Sequence, residues 1–288
     1  MTDMSEREFV LTLSCPDSRG IVAAVANLLA AHSGNIDESQ QCGDHYTGRF
    51  FMRVQFSVDD AGVSEDALRG AFAGLAAEFS MDWNLWRRDV RPRVLVMVSR
   101  FGHCLNHLLY RQRSGLLGID IAGVVSNHRD LEFLADSYGL PFHHLPVTSQ
   151  NKPAQEARLL ELVEDAEVDL VVLARYMQVL SEDLCQKMSG RVINIHHSFL
   201  PSFKGARPYH QAHARGVKLI GATAHYVTAD LDEGPIIEQE VARVDHAATP
   251  EQLTAMGQDL ESVALARAVG WHAEHRILIN GEKTVVFR

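Results

Sequence analysis

Three nearly uninterrupted apolar segments constrain the fold of this chain more than any other feature. They occupy residues 94–98, 119–125 and 168–173. Strands of this composition are buried on both faces, as in a parallel sheet that helices cover on each side. Helical patterns lie between them, for example at residues 131–138 and 154–163. The alternation predicts an α/β domain with a doubly wound, mostly parallel, Rossmann-like sheet.

The first ninety residues have a different pattern, in which short alternating segments flank two stretches of helical spacing. The expected strands and helices lie, in chain order, at residues 9–13, 21–29, 36–42, 50–56, 64–79 and 81–85. This βαββαβ order predicts a ferredoxin-like sheet with helices on one face. Val-Arg-Pro-Arg at residues 90–93 interrupts the pattern. We therefore expect one domain at residues 1–90 and a second at residues 91–288.

Charge and cysteine content narrow the class of protein. The formal net charge is −10, which argues against a general binder of nucleic acid or of membrane surfaces, because both need a positive face. The polar, acidic N-terminus is not a secretory signal, and no apolar run approaches a membrane span. The four cysteines are scattered without metal-binding spacing. A reduced, cytoplasmic protein is the expectation.

One stretch gathers groups that suit acyl transfer. Asn194 and His196 are two residues apart, so on a strand both point to one face. Asp232 follows a second predicted strand, and we expect the amide, the imidazole and the carboxylate to meet where the two strands finish. No Ser or Cys has the context of a covalent nucleophile, which favours direct transfer to water or to an amine. On the residues alone, Asn194 and His196 can equally serve only to satisfy loop backbone groups.

Three motifs carry a resemblance to a known family. Asn-Ile-His-His-Ser-Phe-Leu-Pro-Ser-Phe-Lys-Gly at residues 194–205, with Gly-Ala-Thr-Ala-His at 221–225 and Asp-Glu-Gly-Pro at 232–235, resembles the signature of the folate-dependent formyltransferases. Leu-Ala-Arg-Tyr-Met-Gln-Val-Leu at 173–180 resembles the folate loop of that family. The resemblance implies that the substrate is 10-formyltetrahydrofolate and that the catalytic trio is Asn194, His196 and Asp232.

The same resemblance implies which residues bind the folate. The pterin would be held largely by backbone groups of Met177, Gln178 and Leu180, and the loop at 229–232 would close the other side. The full expected set is Tyr176, Met177, Gln178, Val179, Leu180, Ala229, Asp230 and Leu231. Neither a metal nor a cofactor apart from this substrate is expected.

A departure from one branch of the family indicates the reaction. Glycinamide ribonucleotide transformylases hold a substrate phosphate on a Gly-rich loop after the first strand of this domain. Here Phe101 and His103 bring bulk to that place. Loss of this anchor suggests the hydrolytic branch, which releases tetrahydrofolate and formate, supplies formate for purine synthesis and balances one-carbon folate pools. Two alternatives stay open: formyl transfer to an amine, and a non-catalytic, amino-acid-responsive folate-binding protein.

The N-terminal region resembles an ACT domain, a ligand-sensing module. The resemblance rests on Leu-Ser-Cys-Pro-Asp-Ser-Arg-Gly-Ile-Val at residues 13–22 and Gly-Asn-Ile at 34–36. It implies that these two segments bind a small amino acid, with glycine and methionine as opposing effectors. The implied regulatory residues are Asp17, Arg19, Gly20, Asn35 and Ile36. The alternative is that the domain only mediates assembly, and a homo-oligomer is expected.

Overall fold

The structure is a computed structural model, which describes residues 6–59, 63–200 and 208–288. The chain forms two compact units. The first contains residues 1–91, 274–280 and 285–288, and the second contains residues 92–273 and 281–284. The N-terminal part of the first unit ends at Arg91, and the domain boundary at residue 90 stays a prediction. The C-terminal residues differ, because most of those after residue 273 belong to the first unit instead of the second.

The first unit is a four-stranded antiparallel sheet with two helices. Its elements are β1 (Glu6–Pro16), α1 (Ile21–Ala31), β2 (Gly34–Asp44), β3 (Arg49–Asp59), α2 (Glu65–Phe79) and β4 (Asp82–Arg87). The strand order is β2-β3-β1-β4. This confirms the predicted ferredoxin-like βαββαβ fold.

Local signals explain the helix ends in this unit. The Ser64 side chain accepts a hydrogen bond from the Ala67 amide, which caps α2 as its sequence predicts. Helix α1 starts after Gly20, whose φ of 95° favours glycine. It ends at His32, and Ser33 takes the left-handed conformation with a φ of 58°. Gly34, a residue type that often follows a helix end, already begins β2.

Strand β3 is buried on both faces, although its alternation predicted only one buried face. Phe51 is 0% exposed and Arg53 is 2% exposed. The Arg53 guanidinium donates to the Glu274 carbonyl at 3.1 Å and 3.2 Å and to the Glu38 carboxylate at 2.7 Å. The C-terminal residues of the same unit thus cover the second face, which local sequence patterns cannot reveal.

The second unit holds a seven-stranded sheet in the order β11-β10-β9-β8-β5-β6-β7. Its elements are β5 (Arg93–Val98), α3 (His103–Arg113), β6 (Asp120–Ser126), α4 (Glu132–Ser137), β7 (Phe142–His144), α5 (Lys152–Asp165), β8 (Leu170–Leu173), α6 (Glu182–Lys187), β9 (Val192–His196), α7 (Pro208–Ala214), β10 (Leu219–Tyr226), β11 (Ile236–Arg243) and α8 (Pro250–Ala273). A C-terminal hairpin of β12 (Ile277–Asn280) and β13 (Lys283–Val286) ends the chain.

Strands β5 to β9 are parallel, and β10 and β11 are antiparallel to their neighbours. The predicted doubly wound, mostly parallel sheet is confirmed. The strand order reverses between β5 and β8, where the loop after β5 leads to one side and the loop after β8 leads to the other. Ligands of open α/β sheets bind in the crevice that such a reversal creates.

Helix α8 begins with the expected capping box. The Thr249 amide donates to Gln252 Oε1 at 2.9 Å, and the Gln252 amide donates to Thr249 Oγ1 at 3.3 Å. The helix then runs for 24 residues. Neither α8 nor another helix of the described ranges combines the length and the apolarity that crossing a membrane requires.

Candidate active site

Strands β9 and β10 bring three polar side chains together. The sheet register pairs Asn194 with His225 and His196 with Thr223. Asn194 and His196, two residues apart on β9, both line one cavity, as the alternation of a strand requires. His225 lines the same cavity. A local sequence pattern thus predicts the first pair, while only the sheet register reveals the third residue.

Asp232 reaches this group by a route that differs from the expected one. Because β10 is antiparallel to β9, its C-terminal residue Tyr226 pairs with Ile193, away from the end of β9 at His196. The expectation that two strand ends meet is therefore wrong. The loop at residues 227–235 instead places the Asp232 carboxylate 3.1 Å from His196 Nδ1.

Backbone geometry holds this loop in place. Asp232 has a φ of 58°, a conformation that costs free energy in residues other than glycine and is often kept at functional sites. A Cβ atom at Gly234 would lie 1.8 Å from the Tyr226 carbonyl oxygen, so no other residue fits there. The Tyr226 amide donates to the Pro235 carbonyl, which closes the loop.

Asp232 is ionised. Burial raises the pKa of its carboxyl group, but the hydrogen bond from His196 and the neighbouring imidazoles outweigh that effect and hold the pKa below its usual value. The His196 side chain is 7% exposed, and its Nδ1 faces the carboxylate. Its Nε2 has no hydrogen-bond partner among the described residues, so this nitrogen is available to a ligand in the cavity.

His225 orients Asn194. His225 Nδ1 lies 2.8 Å from the Tyr226 carbonyl oxygen, which can only accept, so Nδ1 carries a proton. Burial lowers the pKa of His225, and the neutral ring then leaves Nε2 as an acceptor. Asn194 Nδ2 lies 3.2 Å from this Nε2 and donates one of its two N–H groups there. The second N–H group of Asn194 stays available to the cavity.

A cavity of about 250 Å³ surrounds these groups. Every expected substrate-binding and catalytic residue lines it: Tyr176, Met177, Gln178, Val179, Leu180, Asn194, His196, Ala229, Asp230, Leu231 and Asp232. Burial raises the pKa of Tyr176 to about 12, so its phenol keeps its proton. The loops at residues 176–180 and 229–231 form two walls of the cavity, and the polar groups of β9 and β10 lie at one side.

One expected backbone contact is already taken within the protein. The Met177 amide donates to Ser99 Oγ at 3.0 Å, and the Ser99 hydroxyl donates to Asn127 Oδ1 at 2.7 Å. The Met177 N–H group is therefore engaged within the protein, and its carbonyl group is the backbone group that is left for a ligand. This network instead ties the loop after β8 to the loop after β5.

Two residues without a predicted role fix the segment after His196. Thr223 Oγ1 donates to the Ser198 carbonyl at 3.0 Å and accepts from the Leu200 amide at 3.1 Å. Gln239 Nε2 donates to Thr223 Oγ1 and to the Leu200 carbonyl, both at 3.1 Å. The remainder of the sequence motif, at residues 201–205, lies outside the described residues.

A buried charged cluster in the same unit shares no residue with the expected catalytic trio. Glu261 is 1% exposed, and its carboxylate is 2.8 Å from His103 Nε2 and accepts from the Tyr209 hydroxyl at 2.8 Å. Ligand atoms of His103, Cys104 and Glu261 all lie within 4.8 Å of one another. Because Arg175 Nε is also 3.4 Å from Glu261, a cation is already present there.

The expected regulatory residues fall into two groups that one chain does not bring together. Asp17, Arg19 and Gly20 follow β1, whose last residue Pro16 pairs with Arg49. Asn35, the second residue of β2, pairs with Ser57, which pairs with Glu8 near the start of β1. Eight residues of extended strand separate these two levels, roughly 27 Å. Within one chain the two segments therefore lie apart, and a site that both of them form stays a prediction.

The signals for the overlooked residues were weak or absent. His225 stood in the quoted Gly-Ala-Thr-Ala-His motif, and alternation places it on the same face as Thr223. Arg175 belongs to the segment at residues 173–180 that resembles the folate loop, but the resemblance implies no role for its side chain. Glu261 follows a helical pattern like its neighbours, and nothing in the sequence marks it as a partner of Arg175.

Comparisons with known proteins match both units. The formyl transferase family model matches residues 92–269, and the ACT domain model matches residues 9–72. The formyltetrahydrofolate deformylase of Corynebacterium sp. (strain P-1) is 54% identical over 99% of this chain and 100% of its own length.

Solved structures give the same result. The formyltetrahydrofolate deformylase of Burkholderia mallei superposes with a TM-score of 0.94 at 54% identity, and the match covers 98% of this chain and 100% of that one. A glycinamide ribonucleotide transformylase from Symbiobacterium toebii has a TM-score of 0.65 at 32% identity and covers only 71% of this chain.

Proposed function

The chain belongs to the formyl transferase family and, within it, to the formyltetrahydrofolate deformylases, and from this premise we propose how its residues hydrolyse 10-formyltetrahydrofolate to tetrahydrofolate and formate. The relatives with this name are 38% to 54% identical to the chain. Neither transfer to an amine nor folate binding without turnover is favoured. A cytoplasmic location and a supply of formate for purine synthesis complete the proposal.

Asn194 stabilises the developing oxyanion. One N–H group of its amide is held by His225 at 3.2 Å, and the second is free to donate to the formyl oxygen. A preorganised donor of this kind lowers the barrier because the oxygen gains negative charge when water attacks the carbonyl carbon. His225 is the positioning residue for this donor.

His196 and Asp232 handle the water and the protons. The Asp232 carboxylate, ionised and 3.1 Å from His196 Nδ1, keeps the imidazole oriented with Nε2 toward the cavity. Water held beside this pair attacks the formyl carbon. As it attacks, this water gives one proton to His196 Nε2. The C–N10 bond breaks as N10 takes that proton, directly or through a second water, and formate leaves after its remaining proton passes to solvent. The unpartnered, buried Nε2 is the single observation that carries this assignment.

The folate lies between the two cavity loops. Residues 176–180 form one wall and residues 229–231 form the other, and all of them line the cavity. The carbonyl groups of the first loop, together with the Gln178 and Leu180 amides, are proposed to bind the pterin. The Met177 amide does not bind the pterin, because it already donates a hydrogen bond to Ser99 Oγ.

The experiment is a formate assay on purified protein with 10-formyltetrahydrofolate and no amine. Wild-type protein is expected to release one formate for each tetrahydrofolate. Asn194→Ala and Asp232→Asn are each expected to lower kcat by about 10²–10³, with folding unchanged by circular dichroism. Near-normal turnover in both variants would contradict these roles.

The first unit is proposed to bind a small amino acid, with glycine and methionine as the effectors to test and a homo-oligomer as the binding form. The ACT domain match supports amino-acid binding. Because the two groups of regulatory residues lie at opposite ends of one sheet, a second copy would have to complete the site. Two measurements on the full chain test this proposal: calorimetry with each amino acid, and the molecular mass of the protein in solution. A monomer, or no heat from either amino acid, would contradict it.

A further inference from the structure

Arg175 occupies the crevice where the strand order reverses. It follows Leu173, the last residue of β8, while the neighbouring strand β5 leads to Ser99 and Phe101. Arg175 is one of the residues that line the cavity around Asn194 and His196. An open α/β sheet usually receives a ligand at this position. Here the long side chain of Arg175 fills part of that crevice.

The backbone at Arg175 is suited to glycine. Its φ is 67°, in the left-handed region where a side chain costs free energy, on the order of 1 kcal/mol or more. Yet the residue is a large cation, and the surroundings hold that cation firmly. Its guanidinium carbon lies 5.4 Å from the centre of the Phe101 ring, and the side chain is 11% exposed.

Glu261 supplies the countercharge. Burial raises the pKa of its carboxyl group, but the hydrogen bond from His103, the charge of Arg175 and the Tyr209 hydroxyl outweigh it, so the group is ionised. Arg175 Nε lies 3.4 Å from Glu261 Oε2 without hydrogen-bond geometry, and neither Nε nor Nη1 finds another partner among the described residues. The pair therefore contributes little directional bonding, and its main effect is to fill space with a neutralised charge.

From this arrangement we infer that Arg175 determines the acceptor: its side chain excludes amines from the formyl carbon and leaves water as the nucleophile. The inference rests on the proposed hydrolysis. Without the side chain, the cavity would extend toward Glu261 and Tyr209, whose carboxylate and hydroxyl oxygens can accept from the N–H groups of an amine. Blocking an unwanted partner in this way gives specificity without a new attractive contact.

The chemistry of the two reactions differs only in the nucleophile. In transfer, the amine nitrogen bonds to the formyl carbon, the C–N10 bond breaks, N10 takes a proton and the amine gives one up. In hydrolysis, a water oxygen takes the place of that nitrogen. Asn194 and His196 serve both reactions equally, so access to the carbon decides between them.

The test measures how the formyl group divides between water and semicarbazide, an amine that is unprotonated at neutral pH and larger than water. Wild-type protein is expected to form formate without formylsemicarbazide above the enzyme-free background. Arg175→Gly, whose backbone fits the observed φ, is expected to raise the ratio of formylsemicarbazide to formate at least about tenfold. Both products are quantified by mass spectrometry.

Two control variants distinguish the volume of the Arg175 side chain from its charge and from the change of the backbone to glycine. Arg175→Met loses the charge but keeps the bulk, and it is expected to retain the wild-type ratio. Glu167→Gly also replaces a charged residue at positive φ, 48°, but the side chain is exposed and outside the cavity, so both activity and ratio are expected to stay unchanged.

The outcomes distinguish this inference from the proposed function. No formate from wild-type protein contradicts the hydrolysis itself. Formate from wild-type protein with an unchanged ratio in Arg175→Gly overturns only the role of Arg175. A folded Arg175→Gly protein that performs neither reaction also overturns it, because Arg175 would then serve the chemistry and not the choice of acceptor.

Discussion

At the scale of single residues, orientation of the Asn194 amide is the feature on which the site depends. The amide has two N–H groups, and His225 accepts one of them while its own Nδ1 is held by the Tyr226 carbonyl group. A side chain at position 225 that cannot accept a hydrogen bond would let the Asn194 amide rotate. Small losses of alignment of this kind are costly in catalysis.

Replacing His225 therefore tests the positioning of Asn194. His225→Leu removes the acceptor, and we expect kcat to fall by about 10²-fold with KM little changed. His225→Gln offers a carbonyl oxygen and should recover part of the loss. Formate release measures both, and the exposed His246→Leu serves as the matched control. Equal kcat values for His225→Leu and His225→Gln would contradict the role.

The same scale shows what local sequence can and cannot provide. Asn194 and His196 share a face because strands alternate, and this holds wherever the strand lies. Arg175 and Glu261 meet only after the whole sheet and α8 have formed, since 86 residues separate them in the chain. Pairings of this kind depend on tertiary structure, so a sequence pattern does not contain them.

At the scale of elements, the loop between β10 and β11 depends on the absence of a side chain at Gly234. Gly234→Ala would place Cβ against the Tyr226 carbonyl oxygen and force the loop to move. We expect displacement of Asp232 and a loss of at least about 10²-fold in kcat. Gly118→Ala is the control, because a Cβ there meets nothing within 4 Å. Equal activity in both variants would show that Asp232 tolerates the shift.

Helix α8 is joined to β10 by a polar pair with a pH-dependent consequence. The Tyr226 hydroxyl lies 2.7 Å from His272 Nδ1, and burial lowers the pKa of His272 to about 4. As the pH falls, the unfolded chain takes up this proton first, at about pH 6.5. The stabilisation is thus complete above pH 6.5 and is lost progressively toward pH 4. It corresponds to about 3 kcal/mol.

A variant that lacks the His272 imidazole tests this pH dependence. His272→Gln can still accept from Tyr226, and we expect its free energy of unfolding to depend less on pH between 6.5 and 4 by about 3 kcal/mol. Urea titrations at a series of pH values measure the slope, with the exposed His210→Gln as control. A slope equal to that of the wild-type protein would contradict the assignment.

The elements themselves were largely predictable, with exceptions that have physical causes. The apolar runs of β5 and β8 are buried on both faces, and their composition predicts this directly. The second buried face of β3 was missed because the residues that cover it lie more than 200 positions away. The antiparallel direction of β10 was missed because hydrophobic patterns do not encode strand direction.

At the scale of the whole molecule, the first unit is completed by the C-terminus. Removal of residues 274–288 would leave the buried Arg53 without the Glu274 carbonyl group and Asp44 without Asn280. We expect the first unit to lose at least about 2 kcal/mol of stability. Faster hydrogen exchange in residues 34–59 would report this loss.

The role of Arg53 can be isolated in the shortened chain. Arg53→Met removes the buried charge, for which Glu38 alone would remain as a partner, and should slow the exchange again, since replacing a buried ion by an apolar side chain is often neutral or stabilising. Identical exchange in the full and shortened chains would contradict the structural role of the C-terminus. The isolated fragment of residues 1–91 is accordingly a poor subject for binding studies.

The discontinuity of the first unit also bears on how such a protein can evolve. Because the polypeptide leaves this unit at Arg91 and re-enters it at Glu274, its two parts are encoded at opposite ends of one reading frame. A recombination event that replaced only the 5′ portion would join a foreign sheet to a native tail. Arg53 and the C-terminal segment that presents the Glu274 carbonyl group must therefore be inherited together, and the first unit cannot be exchanged as a single cassette.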